Sequence, residues 1–174
     1  MAVDNRVLLP SGAEKALWMR NFLIECRAVS EDTGGVLSLL EFTVAPNDGP
    51  PVHLHHDEDE TFFVLDGTFS IQIGDTTYDV SRGGCVFGAR EVKHGFVNIG
   101  TSPGRLLVVA TPAGIEGYFE ESGGRALAST LPPPAGAPDL ELAARLGLKY
   151  RFEVLGPPLR KTVQSSRLTP FRSI

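Results

Sequence analysis

Residues 49–67, with the sequence GPPVHLHHDEDETFFVLDG, contain three of the four histidines in this chain of 174 residues. In a β-strand, side chains two residues apart share a face, so His53 and His55 point the same way and His56 points the opposite way. Glu60 would fall on the wrong face of a continuous strand, but the acidic turn before it resets the register. Two imidazoles and one carboxylate on one wall outline a metal site.

The composition is that of one globular domain with many turns. The chain has 42% hydrophobic residues, 19 Gly and 13 Pro, as expected of an all-β protein with a sizeable core. A formal net charge of -5 argues against nucleic acid as the main partner. We find no signal peptide at the start and no apolar run of the ~20 residues that span a bilayer. We therefore expect a cytoplasmic protein with no membrane partner, in which Cys26 and Cys85 are buried free thiols.

Alternating apolar residues predict many short strands at even spacing, which is typical of a small antiparallel β-barrel or jelly roll. The clearest strand segments are 36–44, 60–65, 68–73, 76–80, 94–98 and 105–110. We predict one domain in four parts. These are an N-terminal segment at 1–30 that packs on the barrel, the barrel at 31–112, C-terminal helical elements with a candidate edge strand at 113–155, and a basic tail at 156–174.

The C-terminal part changes character after the barrel. Residues 114–121 have a helical pattern. Asp139 is placed to cap a short helix over residues 140–146, which Gly147 would end. Residues 150–154 alternate in polarity and are the candidate edge strand.

The fourth histidine lies on a later strand. His94, Phe96 and Asn98 are spaced two apart and share one face. We expect His94 to cross the barrel and meet the two histidines and Glu60 of the first stretch. The other polar residues of that stretch have plainer interpretations: His56 faces away from the site, and Asp57, Glu58 and Asp59 form a solvated turn.

Two spaced motifs carry a family resemblance. The pattern His53-x-His55-x4-Glu60-x6-Gly67, followed by Gly83-x10-His94-x3-Asn98, resembles the two motifs of the cupin superfamily. The short spacing between the motifs is similar to that of small bacterial cupins. The flanks extend the similarity over most of residues 14–155 and resemble single-domain cupins related to quercetin 2,3-dioxygenase. The chain departs from the family pattern at three turn positions, where it has Asn47 for Gly, Ala89 for Pro and Glu91 for Gly.

The resemblance implies that His53, His55, Glu60 and His94 bind one divalent metal ion inside the barrel. Three neutral imidazoles and one carboxylate suit Fe, Mn, Ni, Co, Cu or Zn. They leave about two positions of a six-coordinate ion for substrate and O₂ or water. Glu60 is also the candidate catalytic base.

Strand parity predicts an apolar pocket wall beside these ligands. The residues expected to face the pocket are Phe62, Val64, Phe69, Ile71, Phe87 and Phe96, with Asn98 on the face of His94. No Arg or Lys shares this face near the motifs, so an apolar or aromatic enol or β-dicarbonyl suits the pocket better than a sugar phosphate.

Three functions follow from such a site. The resemblance favours a metal-dependent dioxygenase that holds a deprotonated enol and reacts it with O₂. The same site can serve a non-redox isomerase or cyclase of a carbonyl intermediate, or a cupin that binds a small molecule without turnover. We also expect a homodimer, with candidate edges at residues 150–154 and 16–25.

Overall fold

Most of the chain forms short antiparallel strands in the computed structural model, which describes residues 15–136 and 139–160. The strands are β1 Ala16–Met19, β2 Phe22–Ala28, β3 Ser38–Val44, β4 Pro51–His55, β5 Asp59–Asp66, β6 Thr68–Ile73, β7 Thr76–Ser81, β8 Cys85–Gly88, β9 His94–Asn98, β10 Gly104–Thr111, β11 Gly124–Arg125 and β12 Phe152–Pro158. The helices are α1 Ser30–Thr33, α2 Glu116–Ser122 and α3 Leu140–Lys149. Within the described ranges, no helix is of the length and apolar character that crossing a membrane requires.

The strands make two facing sheets of the jelly-roll type. One sheet has seven strands in the order β11-β1-β2-β3-β10-β5-β8, and the other has five in the order β12-β4-β9-β6-β7. All of the strand pairs are antiparallel. The chain passes between the two sheets several times, and one of these crossings is at Gly67, between β5 and β6. The all-β, jelly-roll prediction with short C-terminal helices is confirmed.

Aromatic rings fill the space between the sheets. Phe62 on β5 and Phe69 on β6 both pack against Phe96 on β9, with ring centroids 6.1 Å apart in each pair. Phe22 and Phe42 bring further rings from the seven-stranded sheet. Full burial of one such side chain stabilises the fold by about 1.5–3 kcal/mol. This aromatic core lies beside the inner strand faces that carry the histidines and Glu60.

The N-terminal segment forms part of a sheet. Strands β1 and β2 make a hairpin around a turn that includes Arg20, whose φ is 54°. Strand β2 then pairs with β3, so residues 16–28 extend the seven-stranded sheet. Strand β11 covers the free side of β1. The start of the predicted segment, residues 1–14, lies outside the described residues.

The C-terminal helix is longer than the sequence indicates. The side chain of Asp139 accepts a hydrogen bond from the backbone N of Leu142, as a cap should. Gly147 does not end the helix, and the expected stop there is wrong, since α3 continues to Lys149. A Cβ at Gly147 would lie 3.1 Å from the carbonyl O of Phe152, so the glycine allows the helix to approach β12 closely.

The expected edge strand is present and longer than predicted. Strand β12 runs to Pro158 and forms one edge of the five-stranded sheet beside β4. It therefore includes the first residues of the predicted basic tail. Residues 161–174 of that tail lie outside the described residues.

Candidate metal centre

Three strands bring the predicted ligands together. His53 on β4 and His94 on β9 are direct cross-strand partners within the five-stranded sheet. His55 lies two residues further along β4, on the same face as His53. Glu60 comes from β5 in the opposite sheet. His94 therefore meets the other three residues as expected, but it shares a sheet with His53 and His55 and reaches across the space between the sheets only toward Glu60.

The four side chains form a tight, mostly buried cluster. One ligand atom from each of His53, His55, Glu60 and His94 lies within 4.8 Å of all the others. The Nε2 atom of His94 is 3.0 Å from a carboxylate oxygen of Glu60, and that of His55 is 3.7 Å from the same oxygen. His55, Glu60 and His94 are buried, whereas His53 is half-buried. His53 therefore marks the side of the cluster nearest to solvent.

Backbone carbonyls fix the orientation of two imidazoles. The Nδ1 atom of His53 is 2.7 Å from the carbonyl O of Pro51, and that of His94 is 2.9 Å from the carbonyl O of Val92. A carbonyl oxygen only accepts, so each Nδ1 must carry the proton and donate it. The Nε2 lone pairs of His53 and His94 are therefore left free, and that of His94 faces Glu60.

The electrostatics of the cluster favour a neutral His53 and an ionised Glu60. Burial, helped by the neighbouring imidazoles of His94 and His55, lowers the pKa of His53 to about 3. Burial disfavours the charged form of Glu60, but the imidazoles of His55, His94 and His53 outweigh it and lower the pKa of Glu60 to about 2. His53 is therefore a neutral donor near pH 7, and Glu60 is a carboxylate.

These residues fit a transition-metal ion. Because its proton is on Nδ1, the buried Nε2 atom of His94 has no proton to donate to the Glu60 oxygen 3.0 Å away, and it has no hydrogen bond among the residues that the structure describes. Leaving such a group unpaired costs about 1–3 kcal/mol, and a metal bond would remove that cost. Three imidazole nitrogens and one carboxylate are donors that Fe, Mn, Ni, Co, Cu and Zn accept.

Most of the turn between β4 and β5 faces outward as predicted. The Nδ1 atom of His56 is 2.9 Å from a carboxylate oxygen of Glu91. Asp57 accepts a hydrogen bond of 2.7 Å from the guanidinium of Arg151. Asp59 likewise accepts hydrogen bonds from Arg90 at 2.9 and 3.1 Å.

Glu58 is the exception, and its placement in a solvated turn is wrong. Its side chain is buried, with 7% of the residue exposed. One of its carboxylate oxygens lies 3.6 Å from the Nδ1 atom of His55. The strand period ends at His55, and the bend that follows turns Glu58 back under that ring. The sequence feature that could have indicated this position is the spacing of Glu58, three residues after the candidate ligand His55.

The predicted pocket residues divide into several groups. Phe62 lies beside the cluster, with its ring centroid 5.7 Å from that of His94, and Phe96 packs against Phe62. Val64, Phe69 and Ile71 are fully buried core residues. Contact of this wall with a substrate stays a prediction.

Phe87 faces solvent, and its predicted inward orientation is wrong. It is 59% exposed. On the paired strands β5 and β8, Phe62 lies opposite Val86, and Thr61 lies opposite Phe87. Directly opposite residues share a face, so Val86 packs inward and Phe87 points outward. Cys85, two residues earlier on the outer face, is exposed as well, and the expectation that it is buried is also wrong.

The side chain of Asn98 is occupied by backbone groups. Its amide nitrogen donates to the carbonyl O atoms of Val44 and Ser102, both at 2.9 Å. Its amide oxygen accepts from the backbone N of Gly100 at 2.9 Å. These bonds give Asn98 a role in holding the loop after β9, in place of the pocket role expected from its strand face.

Sequence reasoning missed Phe152 as a neighbour of the cluster. Its ring centroid is 6.0 Å from that of His55, and Tyr118 packs on its other side at 4.6 Å. Phe152 reaches this position because β12 pairs with β4 and places it directly opposite His55. The alternation around residue 152 indicated a strand but could not indicate the strand beside it.

Two departures from the family pattern keep the expected turn shape. Asn47 and Glu91 have φ values of 59° and 63°, in the left-handed region that glycine adopts most easily. The backbone N of Glu91 donates to the carbonyl O of His55 at 2.8 Å, which ties this turn to the ligand strand. The turns therefore form without glycine, at a cost of roughly 1–2 kcal/mol per residue.

Comparison with known proteins agrees with this fold and site. Residues 40–110 match the family model of the cupin domain, Cupin_2, so the chain contains a cupin domain. This part of the chain includes all four clustered residues. No curated protein matches the sequence significantly.

Solved structures show the same fold. The polyketide cyclase RemF from Streptomyces resistomycificus is 26% identical, with a TM-score of 0.51 over 62% of this chain and 78% of that one. A predicted oxalate decarboxylase from Thermotoga maritima is 15% identical, with a TM-score of 0.56 over 61% and 99% of the two chains. An RmlC-like cupin from Shewanella frigidimarina is 16% identical, with a TM-score of 0.53 over 62% and 93%. The particular resemblance to quercetin 2,3-dioxygenase stays a prediction.

Proposed function

We propose that His53, His55, Glu60 and His94 bind one divalent transition-metal ion. The observation that carries this proposal is the convergence of four ligand atoms, all within 4.8 Å of one another, from two opposing sheets. The fixed tautomers of His53 and His94 and the ionised state of Glu60 support it.

We further propose that the protein is a metal-dependent enzyme that cyclises or isomerises an apolar, enolisable carbonyl compound without redox change. A bound divalent ion would supply Lewis acidity, which polarises a carbonyl or stabilises an enolate. The likeness to the polyketide cyclase RemF, at 26% identity, supports this reaction class.

The residues around the cluster support an apolar substrate. The half-buried Phe152 presents an aromatic ring to His55, and the fully buried Phe62 packs beside His94. The arginines that border the turn are paired with carboxylates, Arg90 with Asp59 and Arg151 with Asp57. Aromatic surface would hold the body of an apolar or aromatic substrate, and these paired guanidinium groups are not available to bind a phosphate.

The roles within the site follow from exposure and charge. The half-buried His53 would lie beside the route by which substrate reaches the centre. A pKa of about 2 makes the carboxylate of Glu60 a weak base, so its main role would be to hold the ion. We accordingly favour the ligand role of Glu60 over the role of catalytic base.

An oxygenase is the second candidate function. The donor set of three imidazoles and one carboxylate accepts redox-active Fe, Mn, Ni, Co and Cu as readily as Zn, and it would leave positions for substrate and O₂. The same apolar wall would hold an enol or flavonol. The two reactions differ in their need for O₂, which makes them separable in one assay.

The test is turnover of aromatic enols and β-dicarbonyls by metal-loaded protein, under air and under nitrogen, with products identified by mass spectrometry. Turnover under nitrogen, with loss of water or unchanged mass, is the expected result. Turnover only in air, with gain of oxygen atoms, would replace the cyclase with the oxygenase. Ligand binding without product under either condition would overturn both and indicate a small-molecule-binding cupin. His94→Ala, which removes a proposed ligand, is the matched inactive control.

A homodimer is proposed as the assembly. The strand β12 exposes Val154 and Leu155, at 54% and 44%, and has no partner strand on its outer side within the described residues. Pairing of this edge with a second copy would cover both features. Size-exclusion chromatography with light scattering should return twice the mass of the chain, and a monomer at micromolar concentration would refute the dimer.

A further inference from the structure

We propose that Glu58 is a positioning residue that orients His55 for metal binding. The Nδ1 atom of His55 and a carboxylate oxygen of Glu58 are 3.6 Å apart. Both atoms are buried, and neither has a hydrogen-bond partner within the described part of the chain. This inference rests on the metal centre proposed above, because Glu58 would act through a metal ligand.

His55 lacks the backbone anchor that the other two imidazoles have. His53 and His94 each donate from Nδ1 to a carbonyl oxygen two residues earlier in the chain. The Nε2 atom of His55 faces Glu60, and its Nδ1 atom faces Glu58. The carboxylate of Glu58 is therefore the acceptor that can orient the ring of His55. The two side chains would have to approach each other by well under 1 Å to form a hydrogen bond.

The turn is built so that Glu58 points inward. Its two neighbours, Asp57 and Asp59, are held outward by Arg151 and Arg90, with the shortest contacts at 2.7 and 2.8 Å. These anchors leave the middle residue of the acidic run directed toward the cluster. Burying a carboxylate without a charged or hydrogen-bonded partner costs free energy. Because Glu58 is buried beside His55, we infer that the imidazole of His55 is its partner.

A carboxylate behind a ligating histidine changes the ligand itself. It holds the ring with Nε2 toward the ion and makes that nitrogen a stronger donor. Glu60 and Glu58 would then place two negative charges close to one divalent ion. We infer that Glu58 raises metal affinity without touching the metal.

The test compares Glu58 with Glu91, because each carboxylate lies beside one histidine of the same turn. Glu91 contacts His56, which is outside the cluster. Glu58→Ala should weaken Co²⁺ or Zn²⁺ affinity, measured against a competing chelator, by about 10- to 100-fold. Glu58→Gln, which keeps an acceptor oxygen, should recover part of this loss. Glu91→Ala and Glu91→Gln should bind metal as the wild type does.

A second readout does not require the metal. Long-range ¹H–¹⁵N NMR of the metal-free protein, at an alkaline pH where the spectrum shows a neutral ring, reports the tautomer of His55. Wild type should show the proton on Nδ1, and Glu58→Ala should show a mixture of tautomers. Unchanged affinity or an unchanged tautomer in Glu58→Ala would overturn the positioning role. Absence of metal binding by the wild type would overturn the metal centre instead, and the NMR result would still decide whether Glu58 orients His55.

Discussion

Two glutamates, Glu60 and Glu116, are equally buried, each with 6% of its surface exposed, yet their surroundings differ. Glu116, at the start of α2, accepts hydrogen bonds from the backbone N of Ser30 at 2.6 Å, from the backbone N of Gly114 at 2.9 Å and from the hydroxyl of Ser38. Glu60 faces the Nε2 atoms of His94 and His55.

The groups that surround each carboxylate show that Glu116 has a structural role, whereas Glu60 is placed to bind a ligand. Backbone and hydroxyl donors belong to the fold, so the bonds of Glu116 join α2 to the first residue of α1 and to β3. The imidazoles around Glu60 are themselves lone-pair donors, and a cation placed among them would satisfy all of these groups together. Burial alone therefore does not identify a site; the nature of the surrounding groups does.

The largest expected effect is on metal affinity. Glu60→Gln removes the only anionic group among the four proposed ligands, so affinity should fall by more than about 100-fold, beyond the cost of losing an outer-shell partner. Glu116→Gln is the matched control and should bind metal as the wild type does. Competition with a chromophoric chelator measures both. Equal losses in the two variants would show that the comparison is mistaken.

A smaller effect is expected on stability. Glu116→Gln replaces a charged acceptor by a neutral amide facing three fixed donors, and we expect a loss of about 1–3 kcal/mol in the free energy of unfolding. Urea denaturation of the metal-free protein provides the measurement. Adding metal at about 100 times its Kd should then stabilise both wild type and Glu116→Gln by about 2.7 kcal/mol. If added metal did not stabilise Glu116→Gln, the two glutamates would not act independently, and this account would be contradicted.

The smallest effect is the pH dependence of that stability difference. Burial opposes the charge of Glu116, but the hydrogen bonds from Ser38, Ser30 and Gly114 outweigh it and lower the pKa of the carboxyl group. Its stabilising contribution is therefore complete above the unfolded-state pKa and is lost as the pH falls through the lower folded-state pKa. The stability gap between wild type and Glu116→Gln should narrow as the pH falls below about 4.3, the ordinary glutamate value. A gap that widens in acid would mean that the pKa of Glu116 is raised.

The sequence predicted the regular parts of the site well. On β4, β5 and β9 the strand period places His53, His55, Glu60 and His94 on inner faces, because these strands alternate without interruption up to the bends. The spacing of the two motifs then indicated which of the many acidic residues belongs with the histidines.

The errors lie where the strand period is broken or where pairing is non-local. The phase of β8 after the turn at residues 81–84 is set by its pairing with β5, which the sequence does not display, so Phe87 was placed inside. Glu58 lies in a bend, where the alternation rule does not apply. Phe152 depends on the pairing of β12 with β4, across about a hundred residues of chain.

Crystallography of metal-loaded protein, with anomalous scattering recorded at the absorption edge of the added metal, tests the central claim most directly. The account predicts one ion per chain, bonded to the Nε2 atoms of His53, His55 and His94 and to the carboxylate of Glu60. An ion bound instead at the outward carboxylates of Asp57 and Asp59, or no ordered ion under saturating metal, would contradict it.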